Sequence, residues 1–347
     1  MTVGVICGKF YPLHEGHMYL IETALHNLDE VYGLLAYEPG EEPGGVMRLA
    51  WLKEMYPRVH WTIVENVIGE ENNSEFWAEY TIRTLVHDFD FTDEIDYVVS
   101  SEPYGVTWAA ELGCQHMEVD IARTKFPISG SLARSNPLIY WDYLSPPARG
   151  YYAHRVCLVG GESTGKTTLA ARLARHFDCL WVPEVGRFYT EKFGTDPEDP
   201  GVWSTILSDQ LALENHMATM TGKGLLICDT DLLTTSIWYK NWVGEEDEVY
   251  KVILNDYIAN GENRWSRRPY DHYLVLTPDV GWVDDGTRSE GDKRMWYHEE
   301  LVAGVKASGV PYTLIDGSNF DIRTAAACFD VVGTYNERTS AGFEGDG

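Results

Sequence analysis

The sequence predicts an α/β protein of two domains, each built on a mainly parallel β-sheet. Length is the first reason, because 347 residues exceed what a single hydrophobic core usually contains. The second is that short apolar runs alternate with amphipathic segments of helical length along the whole chain. The third is the Pro- and Gly-containing stretch 145–150, which divides this alternation into two series. We therefore predict domains at 1–147 and 152–336 and a disordered tail at 337–347.

Strands are predicted where a short apolar run is bounded by turn residues or charges. In the first series these runs are Val3–Cys7, Val31–Tyr37, His60–Val64 and Tyr97–Ser101, and in the second they are Arg155–Val159, Cys179–Val182, Leu225–Cys228, Tyr273–Leu276 and Tyr312–Ile315. Helices are predicted where apolar residues recur at helical spacing, at His17–Leu28, Val46–Met55, Glu75–Asp88 and Thr168–Phe177.

The chain is strongly acidic, with 54 Asp and Glu against 27 Lys and Arg and a net charge of −27. The excess is shared between the halves, because residues 1–150 hold 23 acidic and 9 basic residues, a balance of −14. Such a field repels polyanions, so we expect no nucleic-acid partner. A well-solvated surface is the simpler consequence of the same charge.

Compartment and redox state follow from what the sequence does not contain. Every apolar run is shorter than the roughly 18 residues of a membrane span, and the N-terminus has a strand pattern rather than a signal peptide. We therefore expect a cytoplasmic protein without membrane insertion. The six cysteines lack the paired spacing of zinc or redox sites, and Cys7, Cys157 and Cys228 fall in predicted strands, which indicates buried thiols.

The first candidate site is the loop from Gly8 to His17, between the first strand and the first helix. Glycines allow the backbone to approach phosphate closely, and a helix N-terminus offers free N–H groups and a partial positive charge. His14 and His17 are three residues apart, so they can contact the same anion, and Lys9 adds a charge. Gly8, Lys9 and Phe10 are thus candidates for binding ATP. An isolated His-x-Gly-His is equally a turn with two surface histidines.

A second stretch of sequence supports the interpretation of the first loop as a phosphate-binding site. It is the stretch Ile-Ser-Gly-Ser-Leu-Ala-Arg at 128–134, which places Ser129, Ser131 and Arg134 at the start of a helix. Together the two stretches resemble the nucleotidylyltransferase superfamily, although Ala133 stands where that family usually has Ile. The resemblance implies a Rossmann-like domain in which the histidines and Arg134 hold the ATP triphosphate. It also implies that an acceptor phosphate attacks the α-phosphorus, a step that needs positioning and charge neutralisation with Mg²⁺.

The second candidate site is a P-loop, Gly160-x4-Gly165-Lys166-Thr167, between a predicted strand and a predicted helix. Its backbone N–H groups would hold the β-phosphate, Lys166 would reach the β and γ oxygens, and the Thr167 hydroxyl would bind Mg²⁺. The further candidates for binding ATP are its neighbours Gly161, Glu162, Ser163, Thr164 and Thr168.

Carboxylates and cations follow the P-loop at positions typical of small-molecule kinases. Glu184 follows the second strand and Asp229 ends the third, and one of them would accept the proton of the acceptor hydroxyl while the other serves Mg²⁺. The sequence leaves that choice open. Arg187 and Asp231 are neighbouring candidates for the acceptor. The stretch 282–294 resembles the lid of nucleoside and nucleotide kinases, with Arg288 and Arg294 closing over the phosphates.

With both sites in order, the chain resembles the bifunctional nicotinamide-mononucleotide adenylyltransferase/ribosylnicotinamide kinase (NadR) family. The matching stretches are 8–17, 100–105, 128–134 with 136–137 and 140–143, 160–168, 184–189, 229–231 and 282–288. Some members begin with a DNA-binding domain that represses NAD genes. Because the first strand starts at Val3, we expect that domain to be absent.

The resemblance implies two reactions with ATP and Mg²⁺: phosphorylation of ribosylnicotinamide by the P-loop domain and adenylyl transfer to nicotinamide mononucleotide, giving NAD, by the first domain. Ser101 and Tyr104 are then candidates for contacting the acceptor, and Trp108 for stacking on nicotinamide. Two alternatives stay open, a nucleotidylyltransferase for another acceptor fused to a different kinase, and a non-catalytic sensor of ATP and NAD. A homo-oligomer is also possible.

Overall fold

The computed structural model describes residues 1–66, 73–244, 270–281 and 293–340. The chain separates into two compact units, one spanning Met1–Ala148 and a second beginning at Arg149. Each contains a five-stranded sheet in which every strand pairs parallel to its neighbours. The predicted α/β class and parallel sheets are therefore confirmed.

The sheet of the first unit has the strand order β3-β2-β1-β4-β5. Its strands are β1 (Val3–Gly8), β2 (Glu30–Tyr37), β3 (His60–Glu65), β4 (Tyr97–Ser100) and β5 (Gln115–Glu118). Its helices are α1 (Glu15–Asn27), α2 (Gly45–Met55), α3 (Ser74–Phe89), α4 (Tyr104–Leu112) and α5 (Gly130–Ser135), and α6 (Pro146–Tyr152) contains the boundary between the units. Because β1 lies between β2 and β4, its carboxyl end falls where the strand order reverses, the usual ligand position in such sheets.

The sheet of the second unit has the strand order β10-β9-β6-β8-β7. Its strands are β6 (His154–Val159), β7 (Leu180–Val182), β8 (Leu225–Asp229), β9 (His272–Leu276) and β10 (Tyr312–Ile315). The described helices are α7 (Lys166–Phe177), α8 (Val185–Phe193), α9 (Pro200–Met220), α10 (Leu232–Trp242), α11 (Arg294–Ser308) and α12 (Phe320–Ser340). Strands β6, β8 and β9 are buried along their whole length, so the P-loop follows a rigid central strand.

Strand β5 and the start of the tail differ from the sequence prediction. Strand β5 was not predicted, because Gln115–Glu118 is a short, polar edge strand without an apolar run. Helix α12 continues to Ser340, so the start predicted for the irregular tail, residue 337, is too early. Residues 341–347 lie outside the described residues. Among the helices that the structure describes, none is long and apolar enough to cross a membrane.

Candidate functional site

The first loop of the N-terminal unit is organised by His14, which caps helix α1. Its Nδ1 accepts hydrogen bonds from the backbone N–H groups of Gly16 and His17, at 3.1 and 3.4 Å. A side chain at residue 16 would crowd this cap, because its Cβ would lie 3.1 Å from the His14 ring. With Nδ1 as acceptor, the ring carries its proton on Nε2.

His14 and His17 form a stacked and buried pair, with ring centroids 3.8 Å apart. Burial, assisted by the charge of Arg123, lowers the pKa of His14 to about 3, and burial next to His14 holds the pKa of His17 well below its usual value. Both rings are therefore neutral here. His14 Nε2 and His17 Nδ1 are buried and have no hydrogen-bond partner within the described ranges. These two ring nitrogens are the polar atoms the pair can offer to a ligand.

Lys9 and Phe10 take roles that the sequence did not predict. The Lys9 ammonium lies 2.6 Å from the Glu38 carboxylate and 3.3 Å from that of Glu41, so acidic partners balance its charge. Phe10 is buried and packs edge-on against His17, with ring centroids 5.1 Å apart. Its ring therefore supports the histidine pair. Gly8 ends β1, directly before both residues.

The stretch 128–134 lies next to the first loop. Arg134 donates a hydrogen bond of 2.6 Å to the carbonyl of Tyr11, and its guanidinium stacks 4.3 Å from the Tyr11 ring centroid. Ser129 caps helix α5 through Leu132, and Ser131 accepts a long hydrogen bond from Arg134. Residue 130 must be Gly because a Cβ there would stand 2.6 Å from the Tyr11 carbonyl.

Arg48 is a residue of this region that the sequence reasoning missed. It is fully buried, donates to the Lys9 carbonyl at 2.5 Å and pairs with the Glu41 carboxylate. Its guanidinium lies 4.6 Å from the Tyr11 ring centroid, so Tyr11 contacts two arginines. Nothing in the spacing of α2 distinguishes Arg48 from a surface cation. Only its burial shows that it fixes the loop.

The loop after β4 was predicted to contact the acceptor. Tyr104 donates a hydrogen bond of 2.8 Å to the Cys7 carbonyl, and Ser101 is half-buried. Gly105 allows close packing, because a Cβ there would overlap the side chains of Ser100 and His116. Trp108 is 2% exposed and belongs to the hydrophobic core of this unit. The prediction that Trp108 stacks on nicotinamide is not supported, because its ring is covered by core side chains.

The P-loop of the second unit runs from β6 into helix α7. Lys166 folds back onto the loop and donates to the carbonyls of Gly160 and Gly161, at 2.8 and 3.2 Å. Gly165 has φ of +90° and starts the helix as its N-cap. Glycine is needed at residue 160 as well, because a Cβ there would lie 2.8 Å from the Leu276 carbonyl. The loop conformation is thus determined by close backbone contacts.

Arg323 of α12 ties the P-loop to the end of β9, and the sequence reasoning missed it. Its guanidinium is fully buried and donates to the carbonyls of Thr164, Thr277 and Gly317, at 2.9, 2.6 and 2.5 Å. Because Arg323 lies far along the chain from residue 164, no local pattern could indicate this contact.

Asp229 ends β8 and is fully buried. Burial, together with the neighbouring Glu184 carboxylate and against the effect of Lys166, raises the pKa of Asp229 to about 6. Neither of its oxygens has a hydrogen-bond partner among the residues that the structure describes. A buried carboxylate without donors costs free energy unless a cation or a proton satisfies it. Asp229, with Thr167 close by, therefore fits the Mg²⁺ ion that accompanies ATP.

The other predicted residues of the second unit divide into three groups. Glu184 and Arg187 lie at the start of α8, with a side-chain separation of 4.0 Å. Asp231 is a structural residue instead of an acceptor contact, because its carboxylate caps α10 through Thr234 and accepts from Tyr273, both at 2.7 Å. Arg288 lies outside the described residues, and so does most of the predicted lid.

Of the two predicted lid arginines, Arg294 lies within the described ranges. It begins α11 and donates to the Val280 carbonyl at 3.1 Å. Its own carbonyl would lie 3.4 Å from a Cβ placed on Gly161, so the start of α11 borders the P-loop.

A cavity of about 330 Å³ opens beside the P-loop. Residues 162–168 line one side, and Glu184 and Arg187 line another. The remaining wall includes three tryptophans from α9 and α10, namely Trp203, Trp238 and Trp242. The tryptophans were missed because the sequence contains 12 of them and only the fold selects which face this cavity.

The two units define an α/β protein that joins a Rossmann-like domain with a histidine-containing first loop to a P-loop domain. A family described as AAA domain matches residues 155–321. The trifunctional NAD biosynthesis/regulator protein NadR of Escherichia coli (strain K12) is 26% identical over 355 residues, covering 93% of this chain and 80% of that protein. NadR of Salmonella typhimurium (strain LT2) matches with the same identity and coverage.

Two solved NadR structures share the fold. A NadR protein in complex with NR superposes with a TM-score of 0.72 at 20% identity, covering 98% of this chain and 96% of that chain. A NadR protein in complex with NAD and AMP-PNP gives 0.71 at 21% identity, covering 97% and 96%. These matches confirm the resemblance that the motifs indicated: the chain is homologous to NadR proteins across both units.

Proposed function

We propose that this protein is an enzyme of NAD biosynthesis with two activities. The second unit would phosphorylate ribosylnicotinamide with ATP, and the first would transfer adenylate from ATP to nicotinamide mononucleotide, releasing pyrophosphate. The observation that carries the proposal is the cavity of the second unit, which combines a P-loop, a carboxylate and three tryptophans. Homology to NadR supports the same reading, since NadR is named for NAD biosynthesis and has been crystallised with NR and with NAD.

In the kinase step the cavity would hold the acceptor between the P-loop and the tryptophans. A positively charged nicotinamide ring is attracted to an aromatic face, and Trp203, Trp238 and Trp242 offer such faces. The 5′-oxygen would form a bond to the γ-phosphorus of ATP while the bond to the bridging oxygen of ADP breaks. Lys166 is placed to neutralise the β and γ oxygens once it releases the loop carbonyls.

Glu184 and Asp229 would have different roles because their side chains differ in exposure. Glu184 lines the cavity and its side chain is 26% exposed, so it is the group that would accept the proton of the 5′-hydroxyl. Asp229 is fully buried behind the loop and suits the metal side. Mg²⁺, held through Asp229 and Thr167, would supply charge neutralisation on the phosphates.

In the adenylyl-transfer step the acceptor phosphate arrives ionised, so no strong base is needed. Its oxygen would attack the α-phosphorus of ATP, and pyrophosphate would leave. The neutral histidine pair offers buried ring nitrogens to the triphosphate, and Arg134 adds a cation beside the same loop. The step would then depend on positioning and charge neutralisation.

The experiment follows both activities by mass spectrometry, with ATP, Mg²⁺ and either ribosylnicotinamide or nicotinamide mononucleotide. Wild-type protein is expected to form NAD from both. Lys166→Ala should form NAD only from the mononucleotide, and Arg134→Ala should accumulate the mononucleotide from ribosylnicotinamide. Lys306→Ala, on an exposed turn of α11, is the matched control and should behave as wild type.

Each possible failure contradicts a defined part of the proposal. No pyrophosphate with nicotinamide mononucleotide would exclude the first activity, and a test with other phosphorylated acceptors would then identify the alternative transferase. No ADP with ribosylnicotinamide would exclude the second. Binding of ATP and NAD without turnover of either substrate would instead indicate a sensor.

A further inference from the structure

A chain of buried hydrogen bonds leads from Tyr270, two residues before strand β9, to the start of helix α8. The Tyr270 hydroxyl donates to both oxygens of Glu214, at 3.0 and 2.9 Å. Glu214 also accepts from the side-chain amide of Gln210, at 3.1 Å. The oxygen of the same amide accepts from the backbone N–H of Val185, at 2.9 Å. Two helices and the approach to β9 are connected by this chain.

The orientation of the Gln210 side-chain amide is determined by its hydrogen-bond partners. The Val185 N–H can only donate, so the amide must present its oxygen to α8, and its nitrogen is left to donate to Glu214. Gln210 and Glu214 are each 1% exposed, so water cannot replace either contact. Glutamine is the side chain that supplies an acceptor and a donor here without adding charge.

Val185 occupies a position where its N–H has no partner within its own helix. It is the first residue of α8, and the first N–H groups of a helix require partners from outside. Glu184 precedes it as N-cap, and its side chain makes no capping hydrogen bond. Gln210 therefore provides the anchor for the peptide that joins Glu184 to Val185.

We propose that Gln210 is a positioning residue for the kinase step, holding the Glu184 carboxylate in place through the Val185 N–H. Glu184 projects from the anchored peptide into the cavity, and Arg187 follows less than one turn later in α8. Glu214 and Tyr270 in turn fix the Gln210 amide. This inference rests on the proposed kinase activity, because Gln210 would act by holding Glu184, the residue proposed to accept the proton of the 5′-hydroxyl.

The first test compares Gln210→Leu with a matched control. Tyr189→Phe removes another hydrogen bond between α8 and α9, the 2.6 Å contact of Tyr189 with Asp209, which lies on the exposed side. We expect Gln210→Leu to lower kcat for ribosylnicotinamide phosphorylation by about 10- to 100-fold, because a small displacement of a reacting group has effects of this size. The KM for ATP should change less than about twofold, since the P-loop is not touched. Tyr189→Phe should keep the wild-type kcat.

Hydrogen exchange of the Val185 amide tests the contact without any substrate. It should be slow in wild type and in Tyr189→Phe, and fast in Gln210→Leu. Adenylyl transfer by the first unit should be equal in all three proteins, which shows that each is folded and active elsewhere. A wild type that forms no ADP contradicts the proposed function, and the exchange of Val185 still decides whether Gln210 holds this peptide.

A third variant, Gln210→Glu, tests the role of Gln210 through the pH dependence of kinase activity. A residue that only stabilises the fold would not change this dependence. The new carboxylate can still accept the hydrogen bond from the Val185 N–H. It has no N–H group to donate to Glu214, so the two carboxylates must share a proton to restore that contact. Burial already raises the pKa of Glu214 to about 7, and a second carboxylate raises the pKa of the pair further. The ionisable groups that influence Glu214 from the surrounding elements are Arg155, Cys157, Cys228, Asp231 and Tyr270.

The activity of Gln210→Glu relative to wild type is therefore expected to fall as pH rises from 6 to 9, while the ratio for Gln210→Leu stays flat. This variant also keeps the test valid if Gln210→Leu does not fold. The proposal is overturned if Gln210→Leu retains wild-type kcat, if Tyr189→Phe loses as much activity, or if the ratio for Gln210→Glu is independent of pH.

Discussion

Gly165→Ala would test how strictly the P-loop conformation is fixed. Gly165 has φ of +90°, in the left-handed region that side chains rarely adopt. A Cβ at this residue would also lie 2.6 Å from Cε2 of Phe320, the first residue of α12. The substitution therefore introduces backbone strain and a steric overlap at the residue that precedes Lys166.

Both contributions can be given a size. Left-handed backbone costs a non-glycine residue about 1–2 kcal/mol. Overpacking of a well-packed contact costs about 1–3 kcal/mol, because Phe320 lies between residue 165 and the Arg172 guanidinium at 4.7 Å. The free energy of unfolding of the second unit should fall by about 2–5 kcal/mol in total. Adding Phe320→Ala should remove the steric contribution of Gly165→Ala and leave the backbone contribution.

The assay is urea unfolding monitored by hydrogen exchange in peptides of β6 and β8, which reports on the second unit alone. Gly333→Ala is the matched control, since nothing lies within 4 Å of its Cβ position in α12. In a helix this change should raise the free energy of unfolding by about 0.5–1 kcal/mol. The reasoning is refuted if Gly165→Ala unfolds within 0.5 kcal/mol of wild type, a margin below the smallest strain expected.

Three further predictions follow from buried polar groups. His14→Ala should remove the cap of α1 at a cost of about 1 kcal/mol and abolish adenylyl transfer, while His14→Asn should restore the stability but not the activity. Adenylyl transfer at the wild-type rate in His14→Asn would contradict a role for the ring. Burial raises the pKa of Glu214 from 4.5 to about 7, so the folded state binds more protons than the unfolded state between these pH values. The stabilisation from this group is therefore complete below pH 4.5 and is lost as the pH rises through 7. Between pH 5 and pH 8 the free energy of unfolding of Glu214→Gln, measured in urea, should accordingly fall by less than that of wild type, with a difference of up to about 3 kcal/mol, and equal falls would exclude this linkage. Arg48→Met should lower the unfolding temperature of the first unit and reduce its free energy of unfolding by about 3–5 kcal/mol, because the Glu41 carboxylate loses its buried partner. The control Arg58→Met, at an exposed residue, should have little effect on the unfolding temperature.

The strands and the two phosphate loops could be predicted from the sequence because each depends on neighbours in the chain. An apolar run such as Val156 to Val159 specifies a buried strand, and the glycines and Lys166 that follow have fixed spacing. Strand β5 was not predictable in this way, since its residues are polar and its pairing with β4 comes from the fold.

Roles that depend on burial were harder to predict. Asp231 follows Asp229 by two residues and has the same chemistry, yet it caps a helix while Asp229 keeps both oxygens without a partner in the described part of the chain. Trp108 was proposed because it follows the Ser101–Gly105 stretch, and it lies in the core instead. A side chain's exposure is set by elements distant in sequence, so local spacing does not reveal it.

The sequence by itself determined the class of this protein and the location of both loops, because backbone conformation near glycines and strand ends is a local property. Only the tertiary structure decided which polar residues support those loops. Gln210, Arg323 and Arg48 act across long stretches of chain, and each is buried where an unpaired polar group would cost several kcal/mol. That free energy is a property of three-dimensional surroundings, and for this reason a pattern of residues along the chain does not contain it.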